Sequence, residues 1–207
     1  MKREAGGKKA ETHDRIVRAA ARAIREHGYD GVSVADVMKD AGLTHGGFYA
    51  HFASREAMLE EALDCAAADA LASLTRTTAK ADPAHALEAL VDGYLSDAHL
   101  DHAESGCTLA ALGTETRRQP AELRKVATRR VKELADLIAR QLPNWGESGA
   151  HGDALAVMSS LVGAMVIARV VDEPALATAI RNATARLIRA GLQGRAPSVA
   201  PPPAVRA

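Results

Sequence analysis

The segment AGLTHGGFYAHFASRE, residues 41–56, brings together groups that suit contact with a phosphate or a base. Tyr49 and His51 carry hydrogen-bonding side chains, and Arg55 adds a positive charge. Gly46 and Gly47 have no side chain, so another molecule can approach the main chain closely and receive hydrogen bonds from its amides. The segment therefore predicts a surface that holds an anionic partner through backbone donors and a few polar side chains.

Short helices must position this segment. Apolar residues recur every three or four positions from about residue 12 to residue 27, which predicts a first helix that Gly28 ends. Ser33 can cap a second helix, which Gly42 stops, because its hydroxyl can accept a free amide proton of the first turn. A third helix is predicted to begin at Thr44 and a fourth at Ser54, both capping residues.

Two short helices joined by a tight glycine turn, with a supporting helix before them, predict a helix-turn-helix. The second helix of this motif enters the major groove of DNA with its N-terminal residues on base edges. His45 is the candidate for direct contact with a base, most suitably a guanine acceptor, and a phosphate contact is its alternative. The predicted DNA-binding residues are Ser33, Thr44, His45, Gly46, Gly47, Tyr49, His51 and Arg55.

Ser33-Val34, then Val37, then residues 41–56 follow an order that resembles the N-terminal domain of the TetR (tetracycline-repressor, AcrR-like) family of bacterial transcription regulators. The resemblance covers about residues 12–60. It implies a homodimeric repressor that binds a palindromic operator in double-stranded DNA and is released by a small-molecule effector. It also implies operator contacts by Thr44, Gly46, Tyr49, His51 and Arg55.

Composition bounds the remaining classes of function. The net charge is zero, which by itself gives no support for a nucleic-acid partner. The longest uncharged apolar run, residues 155–168, is shorter than the ~20 residues of a membrane span, so no membrane partner is expected. Two cysteines are too few for a disulfide framework, which favours the cytoplasm.

The helical period continues to about residue 192 and almost nothing alternates with period two, so the fold class is all-α with about nine helices. Beyond the fourth helix, helices are expected over 83–100, 106–117, 120–142, 153–171 and 174–190. The predicted domains are a disordered basic arm (1–10), the helix-turn-helix domain (11–56), a larger helical effector-binding and dimerisation domain (57–193) and a disordered Pro/Ala-rich tail (194–207).

The effector domain offers only weak candidates for a ligand site. Cys107 lies at a predicted helix start close to His102, which would suit a sensor of electrophiles or oxidants; a packing role is the alternative. Glu115 and His102 are polar candidates for gripping an effector, and Tyr94 is one of two aromatic residues beyond residue 57. These features favour a small aliphatic, acyl-like or reactive effector. His99 and His102 lack a third metal ligand, so neither a metal nor a cofactor is expected.

The last two helices carry apolar stripes that could close a four-helix interface around a twofold axis, as the family resemblance implies. The alternative is that they complete the core of a monomer. The predicted interface residues are Leu161, Ala164, Met165, Ala168, Leu176, Ile180, Ala183 and Leu187. No catalytic motif is present, so an enzyme is not expected. A helical carrier or enzyme that does not use its helix-turn-helix for DNA is the competing hypothesis.

Overall fold

The computed structural model describes residues 2–193, with side chains described for residues 7–191. This part of the chain contains nine α-helices, three short 3-10 helices and no β-strand, which confirms the all-α prediction. The α-helices are α1 (Lys2–His27), α2 (Val34–Asp40), α3 (Arg55–Lys80), α4 (Ala86–Tyr94), α5 (Asp97–Asp101), α6 (Thr108–Thr116), α7 (Ala121–Ala139), α8 (Ala150–Val170) and α9 (Pro174–Gln193). The 3-10 helices are His45–Ala50, Pro83–His85 and Ala103–Ser105.

Helix α1 starts earlier than predicted. It begins at Lys2, so residues 2–10, predicted as a disordered arm, are helical. The segment contains no proline, and its three lysines, one arginine, one glutamate and two alanines favour helix, while its two glycines weaken the helix without ending it. The predicted tail, residues 194–207, lies outside the described residues.

The turns and helix ends of the N-terminal module lie where the sequence predicts them. Gly28 and Gly42 adopt positive φ angles of 74° and 69° after α1 and α2, a conformation that glycine takes without strain. The Ser33 hydroxyl accepts from the amide of Asp36 at 3.1 Å, and the Ser54 hydroxyl caps α3. The third helix is a single 3-10 segment, and Thr44 precedes it without a side-chain capping bond, contrary to our expectation.

Helix α3 connects two apolar cores. The first core contains α1, α2, Phe48, Phe52 and the first half of α3, and Leu112 and Leu123 also enter it. The second is built mainly from α4, α7, α8 and α9. The N-terminal module is therefore packed on the helical body through α3, α6 and α7, which gives a mechanical link between the two.

The single helix predicted over residues 83–100 is broken into a 3-10 turn, α4 and α5. The break occurs at Leu95 and Ser96, because the Ser96 hydroxyl accepts from the His99 amide at 3.2 Å and starts a new helix. The bend leaves a space between α3, α4 and the loop before α6.

Helix α8 contains the apolar run identified in the sequence. By length and composition alone it could cross a membrane, and 39% of its most apolar window is buried. It packs against both α7 and α9. This packing is the arrangement of a core helix within a helical bundle.

Candidate DNA-binding site and adjoining cavity

The 3-10 helix His45–Ala50 lies at the surface of the N-terminal module. His45 and Gly46 are exposed, and the Tyr49 side chain is 73% exposed. Beneath them Phe48 and Phe52 are buried and stacked, with ring centroids 5.4 Å apart. The two rings anchor the segment so that its polar groups face outward.

Gly46 is not required by the fold. Its φ angle is not positive, and a Cβ atom at this position would meet no atom of the protein within 4 Å. At Gly47 the nearest atom to such a Cβ would be Met38 Cε at 3.5 Å, an ordinary contact. Space around Gly46 is thus open to a molecule outside the chain, as close approach of a main chain to DNA requires.

His51 lies against the ring system rather than fully in solvent. Its ring is near those of His13 and Phe52, at centroid distances of 5.9 and 6.5 Å. Burial, followed by the charges of His13 and Lys9, lowers the pKa of His51 from its ordinary value of 6.5. At neutral pH the side chain is therefore a neutral hydrogen-bonding group and not a positive charge.

Arg55 faces the loop between α1 and α2. Its Nε donates to the carbonyl of Val32 at 3.2 Å, and Nη2 donates to the carbonyls of Val32 and Tyr29. Only Nη1 remains for the phosphate contact that the sequence suggested. Ser33 similarly uses its hydroxyl in the cap of α2, where it also donates to the Asp36 carboxylate at 2.5 Å.

Glu115 joins α6 to the N-terminal module. Its Oε2 accepts from the amide of Tyr29 at 3.0 Å, and the adjacent Thr116 hydroxyl is 3.1 Å from the Tyr29 phenol. Burial raises the pKa of Tyr29 to about 12, so the phenol stays neutral. The Glu115 carboxylate thus has a structural partner in Tyr29, and its role in gripping an effector stays a prediction.

A second link joins α1 to the loop before α6. The Arg25 side chain is 6% exposed, and its Nη1 donates to the carbonyls of Ala66, at 3.2 Å, and Gly106, at 3.5 Å. Burial lowers the pKa of Arg25 from its ordinary value. Sequence reasoning missed this residue, since an arginine inside an amphipathic helix is usually solvated.

A cavity of about 200 Å³ lies beside this loop. Tyr94, His99 and Cys107 line it, as the sequence suggested for the first and last of these. Apolar or small residues complete the walls: Ala70, Ser73, Leu74, Gly93, Ser96, Ala98, Ser105 and Gly106. His102 does not line the cavity: its ring lies at the surface beside Glu104, at 3.2 Å. The role of His102 as an effector ligand stays a prediction.

His99 ties the cavity walls together. Its Nδ1 donates to the Tyr94 carbonyl at 2.6 Å, and its Nε2 accepts from the Cys107 amide at 2.9 Å. Burial is the main cause that lowers the pKa of His99, and the charge of Arg169 adds to it. A neutral imidazole with its proton on Nδ1 satisfies both bonds.

Three polar atoms around this loop are buried without a hydrogen-bond partner among the described residues. They are Tyr94 Oη, Arg169 Nη1 and Arg25 Nε. Burial, with the neighbouring Cys107 thiol, raises the pKa of Tyr94 well above 10, so the phenol keeps its proton. Within residues 7–191 no group of three or more His, Cys, Asp or Glu side chains could hold a metal ion.

The predicted dimer interface is only half exposed. The four residues predicted on α8 are buried inside the subunit, namely Leu161, Ala164, Met165 and Ala168. They belong to the subunit core, so their assignment to an interface is wrong. The stripe on α9 does reach the surface, with Leu176 42% and Leu187 69% exposed, Ile180 half-buried and Ala183 exposed. On α8 the exposed apolar residues are instead Leu155, Ile167 and Val170.

The chain combines a helix-turn-helix, whose exposed tip lies at Gly46, with a larger helical body. This is the architecture of a helix-turn-helix regulator. Comparison with known proteins agrees. Residues 16–62 match the model for bacterial regulatory proteins of the tetR family, and residues 83–182 match that for the C-terminal domain of LmrA/YxaF-like transcriptional regulators. The chain belongs to the TetR family of transcriptional regulators, which confirms the resemblance and the expectation of a regulator rather than an enzyme.

Individual relatives are distant. A helix-turn-helix transcriptional regulator of Mycobacterium tuberculosis is 29% identical over 167 residues, which cover 76% of this chain and 84% of the relative. A TetR-family regulator from Agrobacterium tumefaciens is 23% identical, with a TM-score of 0.72 over 87% of this chain and 98% of that one. The reduced form of NemR from Escherichia coli is 16% identical, with a TM-score of 0.75 over 87% and 96% of the two chains. The two structural likenesses show the fold.

Proposed function

We propose that the protein is a cytoplasmic, homodimeric repressor that binds a palindromic operator and is released by a small-molecule effector. The observation that carries the proposal is the tip at Gly46. The fold does not need a glycine there, while Tyr49 beside it is mostly exposed. A surface that leaves its main chain bare next to a hydrogen-bonding ring suits the approach of a phosphate backbone.

The dimer is supported by apolar surface on the last two helices. Leu187 is 69% exposed and Val170 is 78% exposed, and Ile167 and Leu176 add to the same pair of helices. Such side chains lose contact with water when a second copy packs against them, which favours association. Two subunits would present two tips to half-sites about 34–36 Å apart, or a multiple of that distance.

The response to an effector is supported by the contacts between module and body. Arg25 of α1 binds the carbonyl of Gly106 in the wall of the cavity, and Glu115 of α6 holds Tyr29 after α1. A ligand that displaces this wall would move α1 and change the separation of the two tips. Its effect is limited by how much more tightly it binds the released conformation than the DNA-bound one.

The test is fluorescence anisotropy with a duplex from upstream of the protein's own gene, compared with a scrambled duplex of equal length. We expect the upstream duplex to bind at least about a thousandfold more tightly, the low end for specific recognition. Tyr49→Ala should weaken this binding about tenfold or more through a lost charge-assisted hydrogen bond.

Trp145→Ala is the matched control, since Trp145 is also an exposed aromatic residue but follows α7 in the body, outside the module. It should bind the upstream duplex as the wild type does. Equal affinity for the upstream and scrambled duplexes would overturn the proposal.

A further inference from the structure

His13 of α1 is held by two other parts of the N-terminal module. Its ring stacks on that of Phe52, with centroids 4.5 Å apart and planes inclined by 25°. Its Nε2 lies 2.6 Å from Glu61 Oε2 on α3. An ionised carboxylate only accepts hydrogen bonds, so Nε2 is the donor of this bond. The stacking and the hydrogen bond together constrain the imidazole, although it is only half-buried.

The ring of His51 lies beside that of His13. Their centroids are 5.9 Å apart and their planes are inclined by 43°, which is within the range of about 4.5–7 Å for paired rings. Burial lowers the pKa of His51, and the charge of His13 and then that of Lys9 lower it further. His51 directly follows the 3-10 helix that carries the exposed tip. His13 therefore lies next to a residue of the predicted operator surface.

The orientation of the His51 ring decides whether it can donate to a phosphate. Its Nδ1 is buried and has no hydrogen-bond partner among the described residues. A neutral imidazole carries its proton on one of its two nitrogens, and a buried N–H without an acceptor is costly. The proton therefore belongs on Nε2. The ring must keep Nδ1 inward for Nε2 to serve as the donor to an operator phosphate.

His13 itself is poorly suited to bind a phosphate. Its Nε2 already donates to Glu61, whose negative charge would repel a phosphate oxygen at the same place. The His13 side chain is 26% exposed and that of Glu61 is 49% exposed, so an approaching anion meets the carboxylate first. Of the two rings beside His13, Phe52 is buried and apolar, which leaves His51 as the group through which His13 can act.

We propose that His13 is a positioning residue for the operator contact of His51. Held by Glu61 and Phe52, the His13 ring forms a wall against which the His51 ring keeps Nδ1 inward and presents Nε2 to a phosphate. The inference rests on the proposed function, because it concerns how the same surface binds the operator. It adds α1 to the elements that arrange that surface.

A double-mutant cycle on operator affinity, measured by fluorescence anisotropy with the upstream duplex, tests this role. His13→Leu removes the ring and the bond to Glu61 but keeps an apolar side chain on Phe52. We expect about tenfold weaker binding, because each subunit loses an aromatic pair that holds His51 in place. In a His51→Ala background the same change should cost less than about twofold, since the group through which it acts is gone. An equal loss in both backgrounds, or no loss in the wild-type background, would overturn the proposal.

Two further variants separate the ring from a general effect on α1. His13→Phe keeps a ring beside His51 and should bind the duplex within about threefold of the wild type. Binding as weak as that of His13→Leu would contradict a role for the ring. His27→Leu is the matched control, because His27 is an exposed histidine at the end of the same helix, and it should keep the wild-type affinity.

An NMR titration of the free protein checks the contact between the two histidines without DNA. The pKa of His51 should lie below 6.5 in the wild type and rise in both His13 variants, because a neighbouring positive charge is removed. A pKa of His51 that is the same in all three proteins would overturn the proposal.

The two proposals fail separately. Equal affinity of the wild type for the upstream and scrambled duplexes would reject the repressor, while the titration would still test the contact between the histidines. Specific binding that His13→Leu leaves unchanged would reject the positioning role and leave the repressor.

Discussion

Arg55→Met keeps the aliphatic stem of the side chain and removes the bonds that Nε and Nη2 donate to the carbonyls of Val32 and Tyr29. A hydrogen bond that involves a charged group contributes about 1.5–3 kcal/mol. Because Arg55 is only part-buried and water can replace some of these bonds, we expect a total loss of about 2 kcal/mol. For a chain of this size that loss corresponds to a Tm lower by about 4–8 °C.

Thermal unfolding followed by circular dichroism, at fixed protein concentration, measures this loss. Arg140→Met is the control, since Arg140 is exposed at the end of α7, and its Tm should stay close to that of the wild type. The salt dependence of operator affinity separates the two roles of Arg55. If it holds the loop, the slope of log K against log salt is unchanged; a phosphate contact would reduce it by about 0.9 per subunit. An unchanged Tm with a reduced slope would refute our interpretation of Arg55.

Three further changes test other parts of the structure. Gly46→Ala should alter the free energy of unfolding by less than about 0.5 kcal/mol, because the methyl meets nothing, yet weaken operator binding about tenfold or more by anisotropy; retained affinity would contradict close approach. Leu187→Glu should give monomers in sedimentation velocity. The matched change Leu155→Glu tests whether a charge at an exposed leucine of α8 has the same effect. A dimeric Leu187→Glu protein would exclude the apolar stripe on α9 as the dimer interface. Stability should fall as the pH drops below about 6.5, because His99 and His51, whose pKa values are lowered in the folded chain, take up protons when it unfolds. Each histidine contributes at most about 1.4 kcal/mol per pH unit. His99→Gln should make this dependence less steep in urea titrations, and an unchanged profile would contradict it.

The N-terminal module was the most predictable part of the fold. Its helix ends depend on local chemistry, namely the hydroxyls of Ser33 and Ser54 and the positive φ angles of Gly28 and Gly42, and all four act as the sequence indicated. Thr44 is the exception, since the segment it begins is 3-10 and its side chain makes no capping bond.

The tertiary roles could not be predicted. Arg55 and Glu115 look like free polar residues in the sequence, and only the folded chain brings them to Tyr29, 26 and 86 positions away. The interface residues predicted on helix α8 were wrong for a different reason. It is apolar on more than one face, so its periodicity could not show that Leu161 and Met165 face the subunit core while Ile167 and Val170 face outward.

The break between α4 and α5 was missed although a signal was present. Ser96 followed by Asp97 is a typical helix start, and Ser96 does cap α5 in the structure. The continuous apolar period across residues 83–100 was given more weight. The cavity that results from the break has no sequence signature, because its walls come from α3, α4 and the loop before α6.

The most direct test of the proposed repressor is a hydroxyl-radical footprint on the upstream duplex. The account predicts two protected segments related by twofold symmetry, with centres 10–10.5 base pairs apart or a multiple of that spacing, as two copies of the tip at Gly46 require. A single protected segment without symmetry, or uniform protection along the duplex, would contradict it.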